Sequence, residues 1–104
     1  SPEEKAQLAR GERRVAFLRV VQPGERGDVV AVSINGAPAG ELDMNNLQSK
    51  VAVVYRPGET IDLRETVIGS SGAPGAYQFD APDGQSLVMV KSVGSKIDWR
   101  GKVE

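Results

Sequence analysis

Three carboxylates along one short segment, Glu59, Asp62 and Glu65, are the nearest this sequence comes to the acid/base pair of a glycoside hydrolase. In an extended chain side chains alternate, which sends Glu59 and Glu65 one way and Asp62 the other. They read instead as solvated charges on a strand. Ser70 and Ser71 sit between glycines, but Gly69-Ser70-Ser71-Gly72 lacks the G-x-S-x-G spacing of a nucleophile elbow, and there is no His to activate a serine. A dyad of Ser92 or Ser95 with Lys91 or Lys96 would need a buried lysine of depressed pKa, and lysine is among the residues least often buried. With no Cys and no His, a thiol nucleophile, a zinc site and a His-containing triad are all excluded within the chain. Asp43-Met44-Asn45-Asn46 and Asp80-Ala81-Pro82-Asp83-Gly84 gather oxygen ligands of the kind calcium takes, yet neither supplies the six or so that it requires, and both read as turns. The sequence therefore predicts no enzyme, no metal and no cofactor.

Recognition is the remaining chemistry. Arg26-Gly27-Asp28 spells a tripeptide that integrins read, in a loop where display is feasible, although the same residues are ordinary turn and strand-start residues. Asn45 and Asn46 occupy a second polar connection and Arg56 a third, so the candidate binding residues are Arg26, Asp28, Asn45, Asn46 and Arg56. Nucleic acid is a poor fit. The formal charge is -1, the basic cluster Arg10, Arg13 and Arg14 is interrupted by Glu12, few aromatics exist to stack on bases, and no phosphate-cradling glycine motif occurs. Tyr77 and Trp99 could stack on a sugar, but with so few aromatics they are expected in the core.

The elements that must position these residues follow from the spacing of apolar side chains. In a chain of 104 residues, 39% hydrophobic, one domain is expected, and no apolar run approaches the roughly 20 residues that span a bilayer. Ser1-Pro2-Glu3-Glu4 is a helix start and Gly11 a stop, predicting a helix over about 2 to 10 within an arm or linker of residues 1–12. With only Ala6, Leu8 and Ala9 as apolar content, that helix has little with which to dock. From residue 13 to 104 the period changes to two, and turn clusters recur every 8 to 12 residues or so. Strands are predicted over about 13–21, 28–34, 39–42, 50–55, 60–68, 76–80 and 86–93, with a last short one through Ile97 and Trp99. The first, apolar on both faces, is expected at the centre of a sheet. Pro38 places the return after Asn35-Gly36 at an edge. The stretch 69–75 has the composition of a flexible loop. The fold class expected is all-β, a two-sheet β-sandwich of about seven or eight short strands with a short N-terminal helix; a small β-barrel is the alternative.

Several of these segments resemble PEGA-type domains, small β-sandwich modules of bacterial surface proteins and lipoproteins. Val29 to Leu42 resembles their apolar strand followed by Asn-Gly and a second Gly. Tyr55 to Ile61 resembles their Pro-Gly turn before an outgoing strand, and Phe79 to Val90 their return strand. The opening Val15 to Arg19 is similar to the first strand of related envelope lipoproteins and of accessory proteins for exopolysaccharide acetylation. The chain departs from that pattern in its 69–75 loop, in the segment around Trp99, and in lacking the aromatic that often follows the last Gly. Beginning at Ser1 without Met, it reads as processed or trimmed, with any targeting segment outside the sequence given. The resemblance implies a periplasmic or cell-surface module, expected to bind a protein or polysaccharide partner through its loops and the edge strand after Pro38; the absence of cysteine suits the cytoplasm, the alternative location, equally. A structural subunit of a phage tail or secretion assembly is a second expectation, and a small carboxylate or Ser/Lys enzyme a third.

Overall fold

The computed structural model describes residues 1–11, 13–19, 24–46 and 48–103. Among the described residues, one helix and eight strands succeed one another: α1 (Pro2–Ala9), β1 (Arg14–Arg19), β2 (Val29–Ile34), β3 (Ala37–Asp43), β4 (Lys50–Tyr55), β5 (Thr60–Gly69), β6 (Ala76–Asp80), β7 (Ser86–Val90) and β8 (Lys96–Lys102). The predicted ends of the first strand at residues 20 and 21, the loop residues Gln22 and Pro23, and the arm boundary at Glu12 lie outside the described residues. The helix begins as its sequence predicts, with the Glu4 amide donating to Ser1 Oγ at 3.2 Å and Gly11 following at a φ of 75°.

All strand pairs are antiparallel, in three open sheets: β1 with β4, β3-β2-β5-β8, and β6 with β7. This is the all-β, sandwich-like architecture that the period-two patterning predicts. The sheets surround one core, approaching along β3/β4, β7/β8 and β1/β6 without ladder hydrogen bonds. Alternation decides what enters that core. Val30 and Val32, Ile61, Leu63 and Val67, Tyr77 and Phe79, and Val51, Val53 and Tyr55 all point inward, joined by Leu18, Leu42, Met44 and Met89.

Turn chemistry sets the register. Asn35 and Gly36 both take positive φ, 52° and 82°, and close the β2–β3 hairpin as a two-residue primed turn. Along β3, Ser33 faces Pro38 and Val32 faces Gly40, which leaves Ala39 as the extra residue of a bulge. Pro38 lies on an edge strand, as its missing donor requires. Between β4 and β5, Gly58 supplies a φ of 81°, and the Glu59 amide closes the turn onto the Arg56 carbonyl at 2.9 Å.

Four expectations need correction. β1 is not central: among the described residues it pairs with β4 alone, and on its outer face Val15 and Phe17 stay 43% and 37% exposed. β7 ends at Val90 rather than Val93, because the Ser92 and Ser95 amides bond back to Val90 and Ser92 carbonyls and turn the chain toward β8. The loop 69–75 is not loose throughout, since Ser70 and Ser71 are each bonded to other elements. Glu65 is not a solvated charge: it is 0% exposed, on the inward face of β5 between Leu63 and Val67.

Candidate functional site

Asp28 stands immediately before β2 and is fully buried, at 0% exposure. A carboxylate there needs several donors, and three reach it, one from its own loop and two from distant parts of the chain. The Glu25 amide donates to Oδ2 at 2.8 Å, the Ser71 amide donates to Oδ1 at 2.6 Å, and the Lys91 ammonium lies 2.9 Å from Oδ2. Burial acts to raise the Asp28 pKa, but bonds from Glu25, Lys91 and Ser71 outweigh it and hold the carboxyl at about 2. Asp28 is therefore ionised at neutral pH and joins two loops to the end of β7.

The backbone extends the same tie to a third loop. The Met44 amide donates to the Asp28 carbonyl at 3.0 Å, and the Gly24 amide donates to the Met44 carbonyl. Gly24 permits this approach, because a Cβ there would meet Asp28 Oδ2 and Met44 Cβ, each at 2.8 Å. Ser70 Oγ donates to the Lys91 carbonyl at 3.3 Å, and the Lys91 amide donates to the Gly75 carbonyl at 3.1 Å. The loop segments 24–28, 43–46 and 70–75 are thus bound side by side at one end of the sheets.

Beside this knot lies a hollow of about 210 Å³, lined in part by Glu25, Gly75, Tyr77 and Lys91. Burial first, and then the neighbouring Asp28 carboxylate, push the Tyr77 hydroxyl up to about 12. Its Oη is buried and, among the described residues, has no partner in hydrogen-bond geometry. A second, half-open hollow of about 440 Å³ lies over the outer face of β2, β5 and β8. Cross-strand ion pairs border it, Arg64 to Asp98 at 2.6 Å and Arg100 to Asp62 at 3.2 Å. The hydrogen bond and charge of each partner raise the Arg64 pKa and lower that of Asp98. Both pairs are exposed, so they add little to stability.

Of the residues singled out in the sequence, Arg26, Asn45 and Asn46 are exposed on the loops that Asp28 draws together. Asn46 also serves its own loop, its Oδ1 accepting from the Gln48 amide at 2.9 Å, as Asp43 Oδ1 accepts from Asn45 at 3.0 Å. These oxygens make Asx turns. Arg56 is exposed at the opposite end, where the Gly58 amide meets the Val103 carbonyl, and it does not join the others. The expectation that Asp28 is displayed in a loop is corrected: its oxygens are buried and occupied, so Arg26-Gly27-Asp28 offers no free carboxylate. Tyr77 and Trp99 are core residues rather than a sugar platform.

Lys91, weighed in the sequence only as a partner for Ser92 or Ser95 and set aside because lysine is seldom buried, is buried after all: its side chain is 8% exposed and its ammonium lies against Asp28. The signal for a buried lysine was absent, because the partner carboxylate lies far away in sequence and only the fold unites them. Among the described residues, no cluster of three or more Asp and Glu side chains converges on a point where a metal ion could sit. No protein-family model, no curated protein and no solved structure matches the chain.

Proposed function

We propose that this domain is a non-catalytic interaction module of the bacterial cell envelope, periplasmic or on the cell surface, that engages a protein or cell-wall polymer. The loop end carrying Arg26, Asn45 and Asn46 is its recognition surface. The envelope setting rests on the PEGA-type resemblance of the strands and turns. The recognition role rests on one observation: a single buried carboxylate binds the loop containing Arg26, the loop containing Ser71 and Lys91, while its own backbone holds Met44 beside Asn45. Loops fixed before an encounter lose less freedom on binding, so exposed polar side chains on such a frame favour recognition.

Amide-shift mapping during titration with solubilised envelope protein and with cell-wall polysaccharide fragments tests this reading. Shifts should concentrate on residues 24–28, 43–46 and 69–75. An Arg26→Glu, Asn45→Ala double variant should retain its melting temperature and lose the response. Shifts centred on buried Val53 and Leu63, or an unchanged response in the double variant, would contradict it.

A further inference from the structure

The outer face of the β1–β4 ribbon combines apolar and cationic side chains. The register sets Val15 opposite Val54, Phe17 opposite Ala52 and Arg19 opposite Lys50, all on the side away from the core. Val15 and Phe17 are 43% and 37% exposed, and Ala52 is exposed beside them. Lys50 Nζ lies 4.6 Å from the Phe17 ring centroid and the Arg19 guanidinium 5.5 Å from it. The aromatic face thus holds two cations in place beside an apolar strip. Neither β1 (RVAFLR) nor β4 (KVAVVY) contains an acidic residue, although the whole chain carries 14 Asp and Glu against 13 Lys and Arg. Among the described residues, neither Arg19 nor Lys50 has a carboxylate partner, whereas Arg64, Lys91 and Arg100 each have one.

We infer that the Val15–Phe17–Arg19 face of this ribbon docks an acidic segment of a protein partner, one that lays an apolar side chain on Val15, Phe17 and Val54 and sets carboxylates against Arg19 and Lys50. The inference rests on reading the domain as an interaction module and assigns that module a second contact surface with a defined chemistry. Charge complementarity selects the occupant. A second copy packed face to face brings no carboxylate to these cations and would bury them unpaired. An anionic membrane is recognised by polybasic clusters of about 4 to 8 Lys and Arg, and this face has Arg19 and Lys50. A bare polyanion would leave the apolar strip unused. Cations already held over a ring lose little freedom when a carboxylate arrives, and the apolar strip beside them sets where the partner's side chain must sit.

The probe is a short synthetic peptide alternating Glu and Val, with a Lys-for-Glu control peptide and phosphatidylserine-containing vesicles as the other arms, read by backbone amide shifts of the whole domain. The acidic peptide should perturb residues 14–19 and 50–54, weaken as salt rises, and bind about tenfold or more weaker to the Arg19→Gln, Lys50→Gln variant, whose core amide shifts should match those of the wild type. The Lys peptide should leave the ribbon silent. No response of the ribbon to the acidic peptide, an equal response in the double variant, or a response to vesicles alone would overturn the proposal. Acidic-peptide shifts confined to residues 24–28 and 43–46 would also overturn it while leaving the recognition end intact. Ribbon shifts with a silent loop end would support it, and the envelope titration separately decides the fate of the loop-end reading.

Discussion

Replacing Glu65 by Gln should change how the stability of this domain depends on pH. Glu65 points into the core from β5, flanked across the sheet by Val32 and Ile97, and neither carboxyl oxygen has a hydrogen-bond partner. Burial alone raises its pKa from 4.5 to about 7. Below about pH 4.5 the carboxyl is protonated both folded and unfolded and contributes no slope. Between there and about pH 7 the folded chain keeps a proton that the unfolded chain releases, so stability falls as pH rises. Above that range the loss is complete and level. At about 1.4 kcal/mol per pKa unit, the full fall is about 3 kcal/mol. Asp28 acts in the opposite direction, its stabilisation present above the unfolded value of 3.8 and lost as pH falls toward about 2. Together they place maximal stability near pH 4 to 5, below the usual near-neutral range. Urea unfolding at about pH 5 and about pH 8, analysed by linear extrapolation, should show the wild type losing about 2.5 kcal/mol and Glu65→Gln keeping most of it. Profiles of the two proteins that run parallel within about 0.5 kcal/mol would refute the burial argument.

Three other substitutions test other parts of the structure. Lys91→Met strips the ammonium from a buried carboxylate and should cost about 3 to 5 kcal/mol by urea unfolding, with a loss under about 1 kcal/mol showing that the Asp28 knot is unimportant. Gly101→Ala drives a Cβ to 2.7 Å from the Trp99 indole, so it should cost about 1 to 3 kcal/mol and shift the emission of the chain's only Trp; unchanged emission and stability would mean the ring is not seated over β8 as described. Phe79→Ala empties a fully buried site and should cost about 3 to 5 kcal/mol, and a cost under about 0.5 kcal/mol would place Phe79 at the surface and refute the register of β6.

Local chemistry was legible in the sequence, and long-range partnership was not. Asn35-Gly36 and Arg56-Pro57-Gly58-Glu59 state their turns through the φ they permit, and period-two runs such as Ile61, Leu63 and Val67 state which face is buried. The same alternation carries Glu65 inward, but residue type argued for solvent, and the period proved the stronger guide. β1 reads as a buried central strand because an apolar residue occupies either face. That Val15 and Phe17 are exposed follows from β1 pairing with β4 across the intervening β2–β3 hairpin, which no local pattern specifies. Asp28 and Lys91 fail to announce themselves for the same reason: Ser71, which completes their network, is 43 residues from Asp28. The loop residues Arg26, Asn45 and Asn46 were legible as exposed polar positions, while their gathering at one end, with Arg56 at the other, is a product of topology.

Backbone 15N relaxation of the free domain tests most directly whether the recognition end is built in advance of binding. Order parameters of about 0.85 are expected for Glu25, Arg26, Asn45, Asn46 and Ser71, matching the strands, because Asp28 and its backbone hold all three loops. Values below about 0.6 at these residues would show that Asp28 does not fix the loops and that the recognition end is not built in advance.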